Sequence, residues 1–296
     1  MKTRLAIFLV TLLIMPLAGF WVGGSVWNGL SPDSPAVIVN PPATLLTTLF
    51  MVGYVLFANH SVSLLSGNNP LKVQRNYFLW TCLAGTVLVW SLAYLNLYAG
   101  SWVTQPENPV MQLLLYSPLF ALLAPAVLIT RSLLGSVSGL LKMLSHGWAV
   151  PAPTGETLAI TLFAIAAGGL LGGASWPAQL IWLFWLAPLL LLVALQILWH
   201  ESTIFSGLTH GDWGRVVLPA ASGVVVANVT LLAYRINGGI VEIFLPHPLL
   251  AQFGYAAFGL LCMQLGDVIA ENWRGKKRSA MFQQKKKFPI PVVSKK

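Results

Sequence analysis

Apolar runs of about 20 residues follow one another along this 296-residue chain, separated by short polar breaks. Each is long enough to cross the hydrocarbon core of a bilayer as a helix. None alternates apolar and polar residues with the two-residue period of a membrane strand, so the pattern predicts helices and not a barrel. Eight spans are expected, near 5–27, 44–66, 77–98, 110–131, 157–173, 179–200, 216–235 and 248–270. The fifth is short and rich in glycine. The first, preceded by Met1-Lys2-Thr3-Arg4, has the look of a signal peptide but no small-x-small cleavage site, so it is expected to be retained. The fold class that follows is an all-α polytopic membrane protein with eight transmembrane helices.

The polar breaks carry a repeat. His60, Ser66, Gly67 and Arg75 recur as His200, Ser206, Gly207 and Arg215, always 140 residues apart, with Ser63, Leu64 and Leu65 matched by Thr203, Ile204 and Phe205. Leu92-Ala93-Tyr94 meets Leu232-Ala233-Tyr234 at the same offset. The first span is echoed more weakly in the fifth, through Gly23-Gly24-Ser25-Val26-Trp27 and Gly172-Gly173-Ala174-Ser175-Trp176. Four spans per copy is an even number, so the copies run in the same direction, as parallel repeats about an axis along the membrane normal. The expected organisation is a first four-helix repeat over 1–131, an inner linker over 132–156, a second repeat over 157–271 and a basic, disordered tail over 272–296.

Composition agrees with the pattern. Hydrophobic residues make up 56% and charged residues 8%, against about 25% charged in soluble domains, and the mean hydropathy is +0.75. No large domain fits outside the membrane. The net charge of +9 points to anionic lipid headgroups and not to nucleic acid, because nine basic residues fall in the last 23. With the N-terminus inside, sixteen of the seventeen Lys and Arg lie on inner segments, Arg235 being the exception. A multi-pass protein of a bacterial-type inner or plasma membrane, or an organellar equivalent, is expected, with both termini cytoplasmic. Cys82 and Cys262 sit inside apolar runs and do not suggest a disulfide.

Candidate chemistry collects at the repeated stretch. His60 falls roughly 10 Å inside the inner membrane edge, and the duplication puts His200 at a matching depth. A polar side chain at such depth costs several kcal/mol unless partnered; the choice is between ties to neighbouring helices and a shared ligand. Arg75 and Arg215 either snorkel to the headgroups or use their planar forks to hold a phosphate or carboxylate. With the two histidines they form the expected substrate-binding set. The second copy adds Glu201, His210 and Asp212, so His200, Glu201, His210 and Asp212 are the candidate catalytic residues, with Asp267 and Glu271 close in sequence to the same end. Acids and imidazoles on one face suit acid–base work, but no spacing here matches a metal signature, and HExxH is absent.

These features suit a permease or carrier for a small anionic or lipid-like solute, with its site between the halves near the cytoplasmic face. No Asp or Glu lies near the middle of a span, which argues against ion coupling. The alternative is a b-type haem or quinone electron-transfer protein with His60 and His200 as axial ligands. A lipid-headgroup enzyme at the inner face and an assembly or scaffold subunit also fit. Pro16, Pro118, Pro125 and Pro188 are expected to kink their helices.

Overall fold

The computed structural model describes residues 43–67, 69–104, 109–151, 155–198, 202–245 and 247–274. Among the described residues seven helices are long and apolar enough to cross a membrane, which makes the chain a multi-pass helical membrane protein. They are α1 (Ala43–Ser66), α3 (Arg75–Ala99), α4 (Pro109–Gly135), α6 (Glu156–Ser175), α7 (Pro177–Leu198), α8 (Gly214–Ile236) and α9 (Pro248–Arg274). Each falls on one of the expected runs. The first expected span, the basic tail beyond Arg274, His200 and Glu201 lie outside the described residues.

The connections are short and chemically defined. Gly67, at φ 70°, ends α1 in the left-handed conformation, its N–H donating to the Ser63 carbonyl. Asn69 caps the single turn α2 (Pro70–Val73) by accepting from Lys72 N, and the buried Asn59 braces that turn by donating to Asn69 Oδ1 and accepting from Leu71 N. α6 and α7 form a tight hairpin about Trp176. Glycines of α6 let Leu180, Leu183 and Phe184 of α7 press against its backbone, as small residues do at membrane helix contacts. That contact is the reason the fifth run is so rich in glycine.

α4 is the central helix: 72% of its apolar window is buried, against 22% for α3 and α6. It packs on α1, α3, α8 and α9, while α9 packs on α8, α3, α7 and α4. Met51, Val127, Ile129, Val226 and Leu261 fill the fully buried core between them. Polar ties cross it at intervals, including Tyr54 Oη to Thr130 Oγ1 at 2.7 Å, Trp90 Nε1 donating to Ser117 Oγ at 2.9 Å, and Gln264 Nε2 donating to Gln196 Oε1 at 3.1 Å. Pro118 and Pro125 lie within α4, Pro188 within α7 and Pro219 within α8.

Three features depart from a plain reading of loops. Between α3 and α4 the strand β1 (Trp102–Thr104) pairs antiparallel with β2 (Val241–Ile243), which lies between α8 and α9. The pairs are Trp102 with Ile243, Val103 with Glu242 and Thr104 with Val241, extended by the Phe244 N–H donating to the Ser101 carbonyl. The expected linker contains a short helix, α5 (Ser138–Leu144), and residues beyond it are hydrogen-bonded to the 207–213 segment. Finally, the two repeated stretches differ in backbone: residues 60–66 continue the α-helix of α1, whereas Ile204–His210 forms a separate 3₁₀ turn after α7 has ended. Thr203 caps that turn by accepting from Phe205 N, and Ser63 in the first copy lies within α1 and not ahead of a new turn.

The tightest crossing is α8 over α9. A Cβ on Gly259 would collide with the Pro219 carbonyl oxygen, and one on Gly223 with the Tyr255 carbonyl oxygen. Gly259→Leu should therefore destabilise the protein by about 1–3 kcal/mol or more, read as a lower melting temperature in detergent. Gly254→Ala, five residues away on the same helix with open space at its Cβ, should instead gain up to about 1 kcal/mol.

Candidate functional site

The small-residue crossings explain a cavity. α3 meets α4 closely at Gly85 and Ala124, and α8 meets α9 at Gly223 and Gly259. Beyond these points, toward the ribbon, the helices leave a cavity of about 300 Å³. Its wall runs from Val89 to Ala93 on α3, Tyr116 to Leu123 on α4, Val226 to Tyr234 on α8 and Leu250 to Phe258 on α9, with Trp185 entering from α7. Ser101, Trp102, Val241 and Ile243 of the ribbon contribute to the same wall.

No charged side chain lines the cavity. Several of its polar atoms have partners: Tyr116 Oη lies 3.0 Å from Tyr234 Oη, Trp185 Nε1 donates to Ser101 Oγ at 2.9 Å, and Thr230 Oγ1 donates to the Val226 carbonyl at 2.7 Å; Tyr255 also lines it. The Trp102 and Trp185 rings stack at 4.9 Å. The ribbon is fixed over the cavity, since Asn96 Oδ1 accepts from the N–H groups of Ser101 and Trp102 while its Nδ2 donates to the Trp102 carbonyl. A dry apolar cavity of roughly half this volume holds a benzene-sized molecule, so this one has room for a larger uncharged, lipid-soluble molecule.

The predicted site residues lie elsewhere. The cavity occupies the ribbon end of the bundle, and the repeated stretches occupy the opposite, basic end. There His60 is exposed on α1, while its neighbour Asn59 is the buried polar group. Arg75 begins α3 and is half-buried. Arg215 Nη2 reaches Asp267 Oδ2 at 2.6 Å, with the two side chains 12% and 6% exposed. Asp212 Oδ1 accepts from Gly214 N at 2.9 Å at the start of α8. His210 is exposed, with Nδ1 2.9 Å from Thr209 Oγ1. Among the described residues no three His, Cys, Asp or Glu side chains gather to hold a metal ion. Sequence reasoning missed the aromatic wall of Trp102, Tyr116, Trp185 and Tyr234. The only hint was the Leu-Ala-Tyr repeat ending in Tyr234, which served as a marker of duplication and not as a site.

The Arg215–Asp267 pair ties the basic ends of α8 and α9. Asp267→Ala removes the carboxylate from a guanidinium only 12% exposed and should cost about 3–5 kcal/mol, whereas Arg215→Met with Asp267→Leu should recover most of that loss; thermal melts in detergent measure both. Comparison with protein-family models, curated proteins and solved structures finds no match to this chain, so its function is argued from the cavity and the bundle.

Proposed function

We propose that this chain is a membrane carrier for a small, uncharged, lipid-soluble solute, which it holds in the cavity beneath the ribbon. The observation that carries the reading is the cavity wall: apolar, aromatic and free of charge. An anionic solute would have to surrender its hydration against a wall that contains no charged side chain, Arg235 standing beside it on the Val241 carbonyl, so the lipid-like half of the expected substrate class is favoured. The Lys and Arg distribution sets the ribbon end outside and the basic end inside. His60, Arg75 and Arg215 then belong to the inner mouth of the path, with Arg215 bound to Asp267.

The same reading takes the chain as two parallel repeats about an axis through the cavity. Packing supports it. Under the offset of 140, α3 corresponds to α8 and α4 to α9, so the contact of α4 with α8 becomes that of α9 with α3; both are present. The α3–α4 contact likewise becomes α8–α9, and α1–α4 becomes α7–α9.

Binding is testable with 12-bromododecanol, whose bromine quenches nearby tryptophan. Protein in nanodiscs should show a saturable quenching component that vanishes in the double variant Trp102→Phe, Trp185→Phe, because both rings line the cavity. Gly254→Leu, which directs a side chain into the space beside Gly254, should weaken it at least about tenfold, or 1.4 kcal/mol. Quenching that rises only in proportion to added alcohol, identically in all three proteins, would sink the reading.

A further inference from the structure

The segment following α4 carries an unusual surface. From Ser132 to Gly155 it contains Lys142 and His146 and no carboxylate. Yet Val137, Leu141, Met143 and Trp148 are all exposed, Trp148 at 88%. Solvent-facing apolar side chains in such a cluster mark a contact surface.

A loose loop could fold these groups away, but this one is tied down. Trp213 N donates to the Leu144 carbonyl, Gly147 N to Gly211 O and Val150 N to Leu208 O, at 2.8–2.9 Å. Trp213 Nε1 donates to the Trp148 carbonyl at 3.0 Å. The Trp213 ring lies so close to Gly147 that a Cβ there would clash with it. The backbone is therefore held against the 207–213 segment, and the Trp148 ring stands outward.

Its height in the molecule is also set. α4 has 27 residues, about 40 Å of helix, against a hydrocarbon thickness of about 30 Å. α5 begins three residues after α4 ends, at the basic end that also holds Arg75, Arg131 and Arg215. The surface thus starts at the boundary between acyl chains and headgroups. Aromatic and aliphatic side chains beside lysine, with no acid among them, are what that boundary accepts.

We propose that residues 137–150 form an interfacial platform on the anionic phospholipid leaflet at the basic end. Trp148, Met143 and Leu141 enter the outer acyl region, and Lys142 sits among the phosphates. The platform anchors the hydrogen-bonded 144–150 and 207–213 segments to the bilayer, independently of the basic tail and of any solute in the cavity.

The experiment uses the full chain in nanodiscs of phosphatidylcholine with and without phosphatidylglycerol. Trp148→Cys carries an environment-sensitive NBD label, since Cys82 and Cys262 are buried. The expected result is blue-shifted emission, quenched by lipids with a nitroxide at carbon 5 and shielded from aqueous iodide. Lys142→Glu should reduce the nitroxide quenching at least twofold in the anionic discs and little in the neutral ones. The unlabelled protein gives a second measurement: subtracting the emission of Trp148→Phe isolates native Trp148, whose quenching by brominated lipids should agree. Water-like emission, quenched by iodide and not by either lipid probe, would overturn the proposal and show a surface standing in water, open to a soluble protein. Lipid quenching indifferent to both Lys142→Glu and phosphatidylglycerol would overturn the anionic preference.

Discussion

The close approach of α8 and α9 at Gly223 and Gly259 is the constraint from which the rest of the bundle takes its shape. Within a bilayer, apolar side chains gain little by leaving lipid for protein, so helices associate through backbone proximity and hydrogen bonds. Two glycines facing each other let the backbones meet, and Gly85 with Ala124 does the same for α3 and α4. Below these crossings Val127, Ile129 and Leu261 fill the core. Above them larger aromatic side chains stand around a space they do not fill.

That space persists because both of its ends are held. At one end are the crossings; at the other is a two-strand ribbon drawn from both halves of the chain. Three pairs and one additional hydrogen bond would be a weak sheet alone. Asn96, Trp185 and Arg235, whose Nη2 donates to the Val241 carbonyl at 3.3 Å, fasten it to α3, α7 and α8. The wall itself is built of apolar and aromatic side chains with no Asp, Glu, Lys or Arg, so it offers a solute contact area and not charge.

At the basic end, polarity is structural in a different way. Asn59 braces a turn, Asp212 accepts from the Gly214 N–H at the start of α8, and Asp267 neutralises Arg215. Each satisfies a donor that would otherwise be exposed to low dielectric. The Gln196–Gln264 amide pair adds another cross-helix tie. The basic end is thus built around internal hydrogen bonds, and its apolar surface is concentrated on the segment after α4.

Hydrophobic run length alone determined the positions of the seven described spans, to within a few residues, because a bilayer forces any long apolar segment to satisfy its backbone as a helix. Gly67 as the end of α1 was equally plain, since a left-handed residue there favours glycine. The recurrence of identities 140 residues apart, such as His60/His200 and Arg75/Arg215, was legible as a sequence pattern. What those residues touch was not. Choosing Asn59 over its neighbour His60 as the buried group depends on which face of α1 meets the α2 turn. Pairing Arg215 with Asp267, 52 positions away, depends on how α8 and α9 cross. The cavity depends on Trp185, Tyr116 and Tyr234 converging from three helices. Run length and spacing describe one helix at a time, whereas contacts between helices are set by interhelical angle and rotation, and only the folded bundle specifies those.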